Sequence, residues 1–336
     1  MHSTNNHAMN RRKFLRNSAL GLGAVGMGLG SMNPALGLPI PGQEESPPPP
    51  LKIKEFRTLG RTGFKVSDIS SGYVENPAVL ERLLDAGVNY IDSAESYKNE
   101  EMIGSVMKKR DRKSVFITTK LEVEKDLSKE AFLARARKCL ERLQTDYIDC
   151  LMMHCPEKAE TLKTEGFHAA MQQLKSEGKL HFVCVSHQGS NWFEDSAESM
   201  EKILTAAALD GRFDVMLLAY NFIQEDNGDK VLKLCREKNI GTTLMKVNPI
   251  GKVPLIKERI EQLKKEGKEV PELLTKGVAR FEAKQLRAQE FIKKYQLDDA
   301  KRMRDAAIRF CLSNPDVHTI CCAFRNFDQL DDFIPL

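Results

Sequence analysis

A strand-like run followed by an amphipathic helical run recurs about every thirty residues through most of this 336-residue chain, and this repeat limits the fold more than any other feature. One parallel strand, its crossover helix and two loops need about this length. Two of the eight strand-like runs, Asp68–Gly72 and Thr319–Cys322, lie near the two ends of the repeating region. The other six end at Asp92, Lys120, His154, Ser186, Tyr220 and Met245–Lys246.

Repeated right-handed βα units form either an open doubly wound sheet or a closed barrel. Eight strands favour the barrel, and no G-x-G-x-x-G motif follows the first strand, which argues against a Rossmann domain. We therefore predict an α/β fold, a (β/α)8 TIM barrel, with an N-terminal β-hairpin over Phe56–Val66 that turns at Gly60–Gly63 and caps the barrel floor. The highly charged stretch Val253–Asp299 breaks the period and predicts a helical insertion late in the barrel, together with the seventh barrel helix.

Helix boundaries are marked by caps. Asn76 stands before Pro77, and Gly87 follows the apolar positions of the same segment, which predicts a helix between them. Ser128 is a candidate N-cap for a second helix, whose apolar stripe begins at Phe132.

The first fifty residues do not have the repeat. Arg11–Arg16 is basic, a weakly apolar glycine-rich stretch follows it, and Ala35–Gly37 offers a small-residue cleavage site. Paired arginines in this setting resemble a twin-arginine signal, which is read by an export machinery that carries folded proteins. We predict a signal peptide over residues 1–37, a proline-rich linker over 38–50 and the barrel over 51–336, with a periplasmic or otherwise exported location. The alternative is a disordered basic tail.

Composition excludes several classes of protein. The formal net charge is only +4, and no basic run with interleaved aromatic residues indicates nucleic-acid binding. No stretch of about 18 apolar residues predicts a membrane span after processing. The eight cysteines are scattered, which predicts mostly buried free thiols, and no Cys/His spacing suggests a metal site.

Polar residues stand where three consecutive strands end: Asp92, Lys120 and His154. In a parallel barrel, the carboxyl ends of the strands and the loops after them form the reactive face. Each residue alone has an ordinary explanation, as a helix cap, a lysine reaching water or a histidine at the rim. Three of them on consecutive strands favour a functional site.

These residues carry a resemblance to a known family. The run Ile91–Tyr97, followed by Thr118–Lys120 and Leu151–Pro156, resembles the aldo-keto reductases, as do Leu59–Gly63 and Leu143–Asp149. The resemblance extends from about Leu51 to the C-terminus and is strongest before Pro156. It implies a (β/α)8 barrel that reduces an aldehyde or ketone, including sugar-derived carbonyls, by hydride transfer from NAD(P)H.

The resemblance implies a role for each of four residues. Tyr97 would protonate the carbonyl oxygen, Lys120 and its partner Asp92 would lie beside Tyr97, and His154 would orient the carbonyl. A cation about 4 Å from a phenol favours the phenolate by up to about 4 kcal/mol at an effective dielectric of about 20. We therefore expect Lys120 to lower the pKa of Tyr97, with Asp92 tempering the effect. No metal is required.

The resemblance also implies a nucleotide site for NADP(H), with NAD(H) as the alternative. Ser186 would contact the carboxamide and Met245 would lie beneath the nicotinamide ring, although core packing is an equal interpretation of Met245. Arg325 would bind phosphate, although it is equally interpreted as a surface charge. His187 stands where asparagine is common, and Leu217 stands where glutamine is frequent, so the preference for NADP stays open. The predicted nucleotide-binding residues are Ser186, His187, Met245, Lys246, Arg325 and Gln329.

The leading hypothesis is a carbonyl reductase whose partners are a small-molecule carbonyl substrate and the twin-arginine export machinery. The runner-up is a nicotinamide-binding sensor or regulatory subunit on the same fold, with little turnover. Departures in the nucleotide segments favour the runner-up, whereas the intact set of Asp92, Tyr97, Lys120 and His154 favours the enzyme. A glycosidase ranks lowest because Asp92 has no acidic partner at the neighbouring strand ends.

Overall fold

A closed barrel of eight parallel strands forms the centre of the protein, as the sequence predicts. The computed structural model describes residues 51–123, 126–189, 197–222, 228–248, 253–287, 289–297 and 299–334. The predicted signal (1–37) and linker (38–50) lie outside the described residues. In barrel order from the first strand, the strands are β3 (Ile69–Ser71), β4 (Tyr90–Asp92), β5 (Phe116–Glu122), β6 (Ile148–His154), β7 (Leu180–His187), β8 (Val215–Ala219), β9 (Gly241–Met245) and β10 (Thr319–Cys322).

The predicted hairpin is present at the barrel floor. It consists of β1 (Phe56–Thr58) and β2 (Lys65–Ser67), which pair antiparallel. Leu59 and Val66 are fully buried and pack on the inward side chains of the barrel strands, such as Phe116. The hairpin therefore closes the amino end of the barrel, at the end opposite to the carboxyl ends of the strands.

Helices cover the outside of the barrel and bury their apolar faces against the outer side chains of the strands. Their N-caps explain several starts: the Asn76 side chain accepts from the Ala78 N–H, and the Ser128 hydroxyl accepts from the Ala131 N–H. No helix within the described ranges has the length and apolarity needed to cross a membrane. The helices are α1 (Pro77–Asp85), α2 (Glu100–Met107), α3 (Lys129–Leu143), α4 (Glu165–Ser176), α5 (Met200–Asp210), α6 (Gly228–Glu237), α7 (Val253–Lys265), α8 (Glu272–Arg287), α9 (Gln289–Lys294), α10 (Ala300–Leu312) and α11 (Phe327–Phe333).

The late insertion is helical, as predicted, but its boundary differs. Helices α7, α8 and α9 form the excursion, and α10 is the helix that packs against the barrel before β10. Met303, Ala307 and Cys311 of α10 are buried in the outer core. The seventh barrel helix therefore starts after Asp299 and not within Val253–Asp299, because the helix that directly precedes β10 and carries this buried stripe is α10.

Two of the cysteines are paired. Cys150 on β6 and Cys184 on β7 form a disulfide in the barrel interior, where both side chains point inward from neighbouring strands. The expectation of mostly buried free thiols does not extend to this pair, since spacing along the chain does not show the register in which two neighbouring strands pair. The other cysteines carry free thiols, and Cys155 is the one at the end of β6.

Gly60 is the glycine on which the floor hairpin depends most. Its φ is +48°, and an added Cβ would lie 2.3 Å from the backbone nitrogen of Gly241 at the start of β9. We expect Gly60→Ala to lower the free energy of unfolding by about 2–4 kcal/mol, because both the left-handed backbone and the contact resist the methyl group. Gly63→Ala is the control: its φ is +71°, but nothing lies within 4 Å of its added Cβ, so about 1 kcal/mol is expected. Urea unfolding would measure both values, and equal losses would contradict the contact argument.

Candidate active site

A buried ion pair lies at the carboxyl end of two neighbouring strands. The Lys120 ammonium donates to Asp92 Oδ2 and to the Ser93 carbonyl, both at 2.6 Å, and the two charged side chains are 1% and 6% exposed. The Thr118 hydroxyl donates to the second oxygen, Asp92 Oδ1, at 3.0 Å. Burial opposes the charge on Lys120, but the Asp92 carboxylate and Tyr97 raise its pKa above the usual value. Lys120 therefore stays an ammonium within the barrel mouth.

Tyr97 lies directly beside this pair. It ends a short 3-10 turn, Glu95–Tyr97, just after β4, and the Lys120 nitrogen is 4.8 Å from the centroid of its ring. Burial raises the pKa of Tyr97 above 10; the Lys120 ammonium opposes this, and the Asp92 carboxylate adds to it. Lys120 therefore lowers the pKa of Tyr97, as expected, and Asp92 tempers this effect, but the net shift is upward because burial outweighs a cation whose charge Asp92 already balances.

His154 forms the other side of the mouth. Its ring is 6.2 Å from the ring of Tyr97, edge to face, and its Nδ1 lies 2.6 Å from Glu122 Oε1. Burial lowers the pKa of His154, but its hydrogen bonds to Cys155 and Glu122 outweigh burial and raise the pKa to about 9. The structure thus brings together Asp92, Tyr97, Lys120 and His154, the four residues expected from the sequence to be catalytic.

Glu122 is a site residue that the sequence analysis missed. It lies two positions after Lys120 on β5, so the two side chains share the inward face of the strand. In the parallel ladder Glu122 is paired with His154 of β6, and its Oε1 also accepts from the Ser96 hydroxyl at 3.1 Å. Alternation along β5 was the signal that could have found it, because a polar residue two places after Lys120 must face the same mouth.

Cys155 directly follows β6 and forms hydrogen bonds with Ser186 of β7. Its backbone N–H donates to the Ser186 carbonyl at 3.1 Å, and its sulfur lies 3.6 Å from the Ser186 hydroxyl. Burial opposes ionisation of Cys155, but its hydrogen bond to His154 and the charge of that ring lower its pKa. The Ser186 hydroxyl is therefore fixed at the same mouth as His154.

The geometry agrees with the outcome of comparisons with known proteins. The model of the Aldo/keto reductase family matches residues 59–335, which is most of the chain and all of the barrel strands. The chain belongs to the aldo/keto reductase family.

Individual curated relatives match this chain at low sequence identity. Methylglyoxal reductase DkgB of Salmonella typhi is 29% identical over 112 residues, which is 33% of this chain and 42% of the relative. The chain spans between 38% and 42% of the length of this and three other curated relatives. Glycerol 2-dehydrogenase (NADP(+)) of Saccharomyces cerevisiae is 28% identical over 234 residues, 59% of this chain and 70% of the relative. The holo form of the aldo-keto reductase AKR11C1 from Bacillus halodurans aligns with a TM-score of 0.60 at 20% identity, over 84% of this chain and 90% of that one, and this likeness shows the fold.

The residues expected from the sequence to bind nucleotide lie around one part of the barrel rim. Ser186 and His187 end β7, and Met245 ends β9 with Lys246 directly after it. The Lys246 ammonium lies 3.4 Å from the Gln188 carbonyl, so the residues that follow β7 and β9 approach each other. Arg325, which is exposed, stands just before α11. The residues that follow β7 and β9 therefore border the mouth from the side opposite to Tyr97 in strand order, whereas Arg325 follows β10, two strands from β4.

Like Ser186 and Lys246, the side chains of His187 and Gln329 form hydrogen bonds within the protein. His187 is 2% exposed, and its Nδ1 accepts from the Gly189 N–H at 3.1 Å. The side-chain oxygen of Gln329 accepts from the Arg325 N–H at 2.7 Å and so helps to cap α11. Within the described parts of the chain, no group of three or more His, Cys, Asp or Glu side chains could hold a metal ion.

Proposed function

We propose that this protein reduces the carbonyl group of an aldehyde or ketone, including sugar-derived carbonyls, with NAD(P)H as reductant and Tyr97 as general acid. One observation carries the proposal: Tyr97 lies over a buried Lys120–Asp92 ion pair and faces His154 across the open end of a reductase-family barrel. The names of two relatives, methylglyoxal reductase and glycerol 2-dehydrogenase (NADP(+)), support carbonyl chemistry and NADP as the nucleotide.

Each residue of the set has a physical task in this reaction. Tyr97 donates the proton that the carbonyl oxygen needs once its carbon has been reduced. The Lys120 ammonium lies beside the phenol and stabilises the phenolate that remains, while Asp92 holds Lys120 in place through a 2.6 Å hydrogen bond. His154 lies within reach of the same mouth and binds the carbonyl oxygen, which fixes its direction relative to Tyr97.

The bound nicotinamide nucleotide supplies the hydride that reduces the carbonyl carbon. The residues present fit such a nucleotide in part. The Ser186 hydroxyl at the end of β7 offers a hydrogen-bonding group for a carboxamide, and Met245 offers an apolar surface. Lys246 and the exposed Arg325 provide the positive charge that phosphates require. His187 and Gln329 each have one polar atom in an internal hydrogen bond.

Binding and turnover together test the proposal. The protein would be titrated with NADPH and NADH by nucleotide fluorescence and then assayed with methylglyoxal, other aldehydes and oxidised sugars. Binding with turnover of a carbonyl is the expected result, with NADPH bound more tightly than NADH. Binding without turnover of any carbonyl would favour the sensor or regulatory role on the same fold. Absence of binding to either nucleotide in folded protein would overturn the proposal.

The export of the enzyme by the twin-arginine route is a further part of the proposal. It is supported by the basic residues Arg11–Arg16 and the weakly apolar, glycine-rich stretch that follows them within residues 1–37. We expect replacement of both Arg11 and Arg12 by lysine to keep the protein in the cytoplasm. Cell fractionation and immunoblotting would show this, with Lys13→Arg as a charge-matched control. A cytoplasmic location of the unaltered protein would contradict the export proposal.

A further inference from the structure

We propose that Glu122 is a positioning residue for the reduction: it holds His154 as a charged imidazolium at the barrel mouth, so that a cationic N–H donor meets the carbonyl oxygen. The catalytic part of this inference rests on the proposed reductase function. The charge state of His154 does not depend on that function and is measured separately below.

The pairing follows from the strand register. Glu122 and His154 are the last residues of β5 and β6 and stand opposite each other in the parallel ladder. Both side chains therefore leave the sheet on the inward face, and Glu122 Oε1 approaches His154 Nδ1 to 2.6 Å. The His154 side chain is 10% exposed and the Glu122 side chain 40%. This short contact is typical of a hydrogen bond between two charged groups, which is about twice as strong as a neutral one.

The backbone of Glu122 is fixed on both sides. Its N–H donates to Glu95 Oε1 at 2.8 Å, and its carbonyl accepts from Arg135 Nη2 at 2.8 Å. Arg135 and Glu95 form an ion pair with each other, so a single pair holds both ends of this residue. The Ser96 hydroxyl then fixes the carboxylate itself. These contacts therefore hold the Glu122 carboxylate in place for His154 without any contribution from His154 itself.

The charged groups around His154 favour its protonated form on balance. Lys120 on β5 opposes a second positive charge, and burial opposes it more strongly. Cys155 on the loop after β6 and Glu122 on β5 act in the opposite direction, and together they outweigh both, which gives the pKa of about 9. Tyr97 faces His154 from the turn after β4. The carboxylate benefits reciprocally, because its hydrogen bond to His154 lowers the pKa of Glu122. His154 is then protonated at neutral pH and loses its proton only as the pH rises through about 9.

The charge matters for the reaction. In the imidazolium both ring nitrogens carry protons, so Nδ1–H bonds to Glu122 and Nε2–H remains as a donor. A neutral histidine would offer that donor in only one tautomer and without charge. As negative charge develops on the carbonyl oxygen, a preorganised cation stabilises it more than a neutral donor does. Tyr97 gives up its proton to that oxygen, while His154 keeps both of its protons.

The decisive experiment is an NMR titration of the His154 ring in the full-length protein, in the wild type and in Glu122→Gln. The amide oxygen can still accept from Nδ1–H, so the substitution removes the charge and retains the hydrogen bond. A His154→Gln variant assigns the signal. We expect the pKa of His154 to be about 9 in the wild type and to fall to about 6.5 or below in Glu122→Gln. Glu177→Gln, the same change at a surface ion pair with Arg137, is the matched control and should leave it unchanged.

A second variant separates the two groups that raise the pKa. Cys155→Ser removes the thiol and keeps Glu122, so the pKa of His154 should stay above about 6.5 if the carboxylate is responsible. A wild-type value at or below about 6.5, or a Glu122→Gln value within about half a unit of the wild type, would overturn the assignment.

The pH dependence of kcat/KM tests the catalytic consequence. In the wild type kcat/KM should fall as the pH rises through about 9, whereas in Glu122→Gln the fall should begin near 6.5. The variant should therefore be about thirtyfold less active than the wild type at pH 8 and nearly equal at pH 5.5. Equal profiles would overturn the positioning role. Absence of turnover in the wild type would overturn the reductase function, and the NMR titration would still decide the charge of His154.

Discussion

Tyr97→Phe is expected to lower kcat/KM for carbonyl reduction by about 10²–10⁴, because it removes the proton that the reduced carbonyl oxygen must receive. The hydroxyl group is the only part lost, and the ring that packs edge to face with Tyr73 and His154 remains. Nucleotide binding should change little, because the residues expected to bind it lie at the ends of β7, β9 and β10. Steady-state kinetics and a fluorescence titration with NADPH would measure the two effects separately.

The control for this variant is Tyr147→Phe, the same chemical change at the other end of the barrel. Tyr147 stands just before β6 and stacks on His181, next to Arg112 and far from the open mouth. The Tyr147→Phe variant should keep kcat/KM within a fewfold of the wild-type value. If Tyr97→Phe also stays within tenfold, another group supplies the proton, and the role assigned to Tyr97 is wrong.

Lys120→Met is expected to lower the free energy of unfolding by about 3–5 kcal/mol, the usual effect of removing one partner of a buried ion pair. Asp92 would then carry a carboxylate that is 6% exposed and has lost its ammonium partner, with the Thr118 hydroxyl still bonded to its other oxygen. Activity should also be lost, since the same ammonium lies beside the Tyr97 ring. Chemical unfolding followed by circular dichroism would measure the loss of stability.

Two further variants show whether the lost stability comes from the buried charge. Asp92→Asn combined with Lys120→Met leaves two neutral groups and should recover most of the stability, though not the activity. Lys109→Met breaks an exposed pair with Glu81, in which Lys109 is 74% exposed, and should cost less than about 1 kcal/mol. A loss in Lys120→Met no larger than that in Lys109→Met would contradict the argument from burial.

The catalytic set could be found from the sequence because its residues are recognised by the positions at which predicted strands end. Asp92, Lys120 and His154 each follow an apolar run, and parallel strands bring their carboxyl ends to one rim whatever the details of packing. Helices α2 and α6 were not identified, although the βα repeat requires a helix in each interval. Helix α2 is only eight residues long and contains Gly104, whereas the apolar stripe of α6, with Val231, Leu232 and Cys235 buried, was a signal that could have found it.

Other features depended on which side chains of neighbouring strands come into contact, and the sequence does not show this. The Cys150–Cys184 disulfide and the Glu122–His154 pair both join β-strands that are neighbours in the barrel, and neither spacing predicts its contact. The net pKa shift of Tyr97 also could not be obtained from the sequence, although Lys120 lowers that pKa as expected. The distance to a cation was foreseen, but the burial that outweighs it comes from the packing around the mouth.

The sequence by itself determined the barrel, the floor hairpin and the rim on which the polar residues stand. These follow from a repeat length and from the alternation of apolar residues, which are local properties of the chain. The tertiary structure alone decided which partner each polar side chain has and how far it is removed from water. The reason is physical: hydrogen bonds and desolvation act over a few ångströms, and residues that close are brought together by the register of neighbouring strands and not by their separation in the sequence.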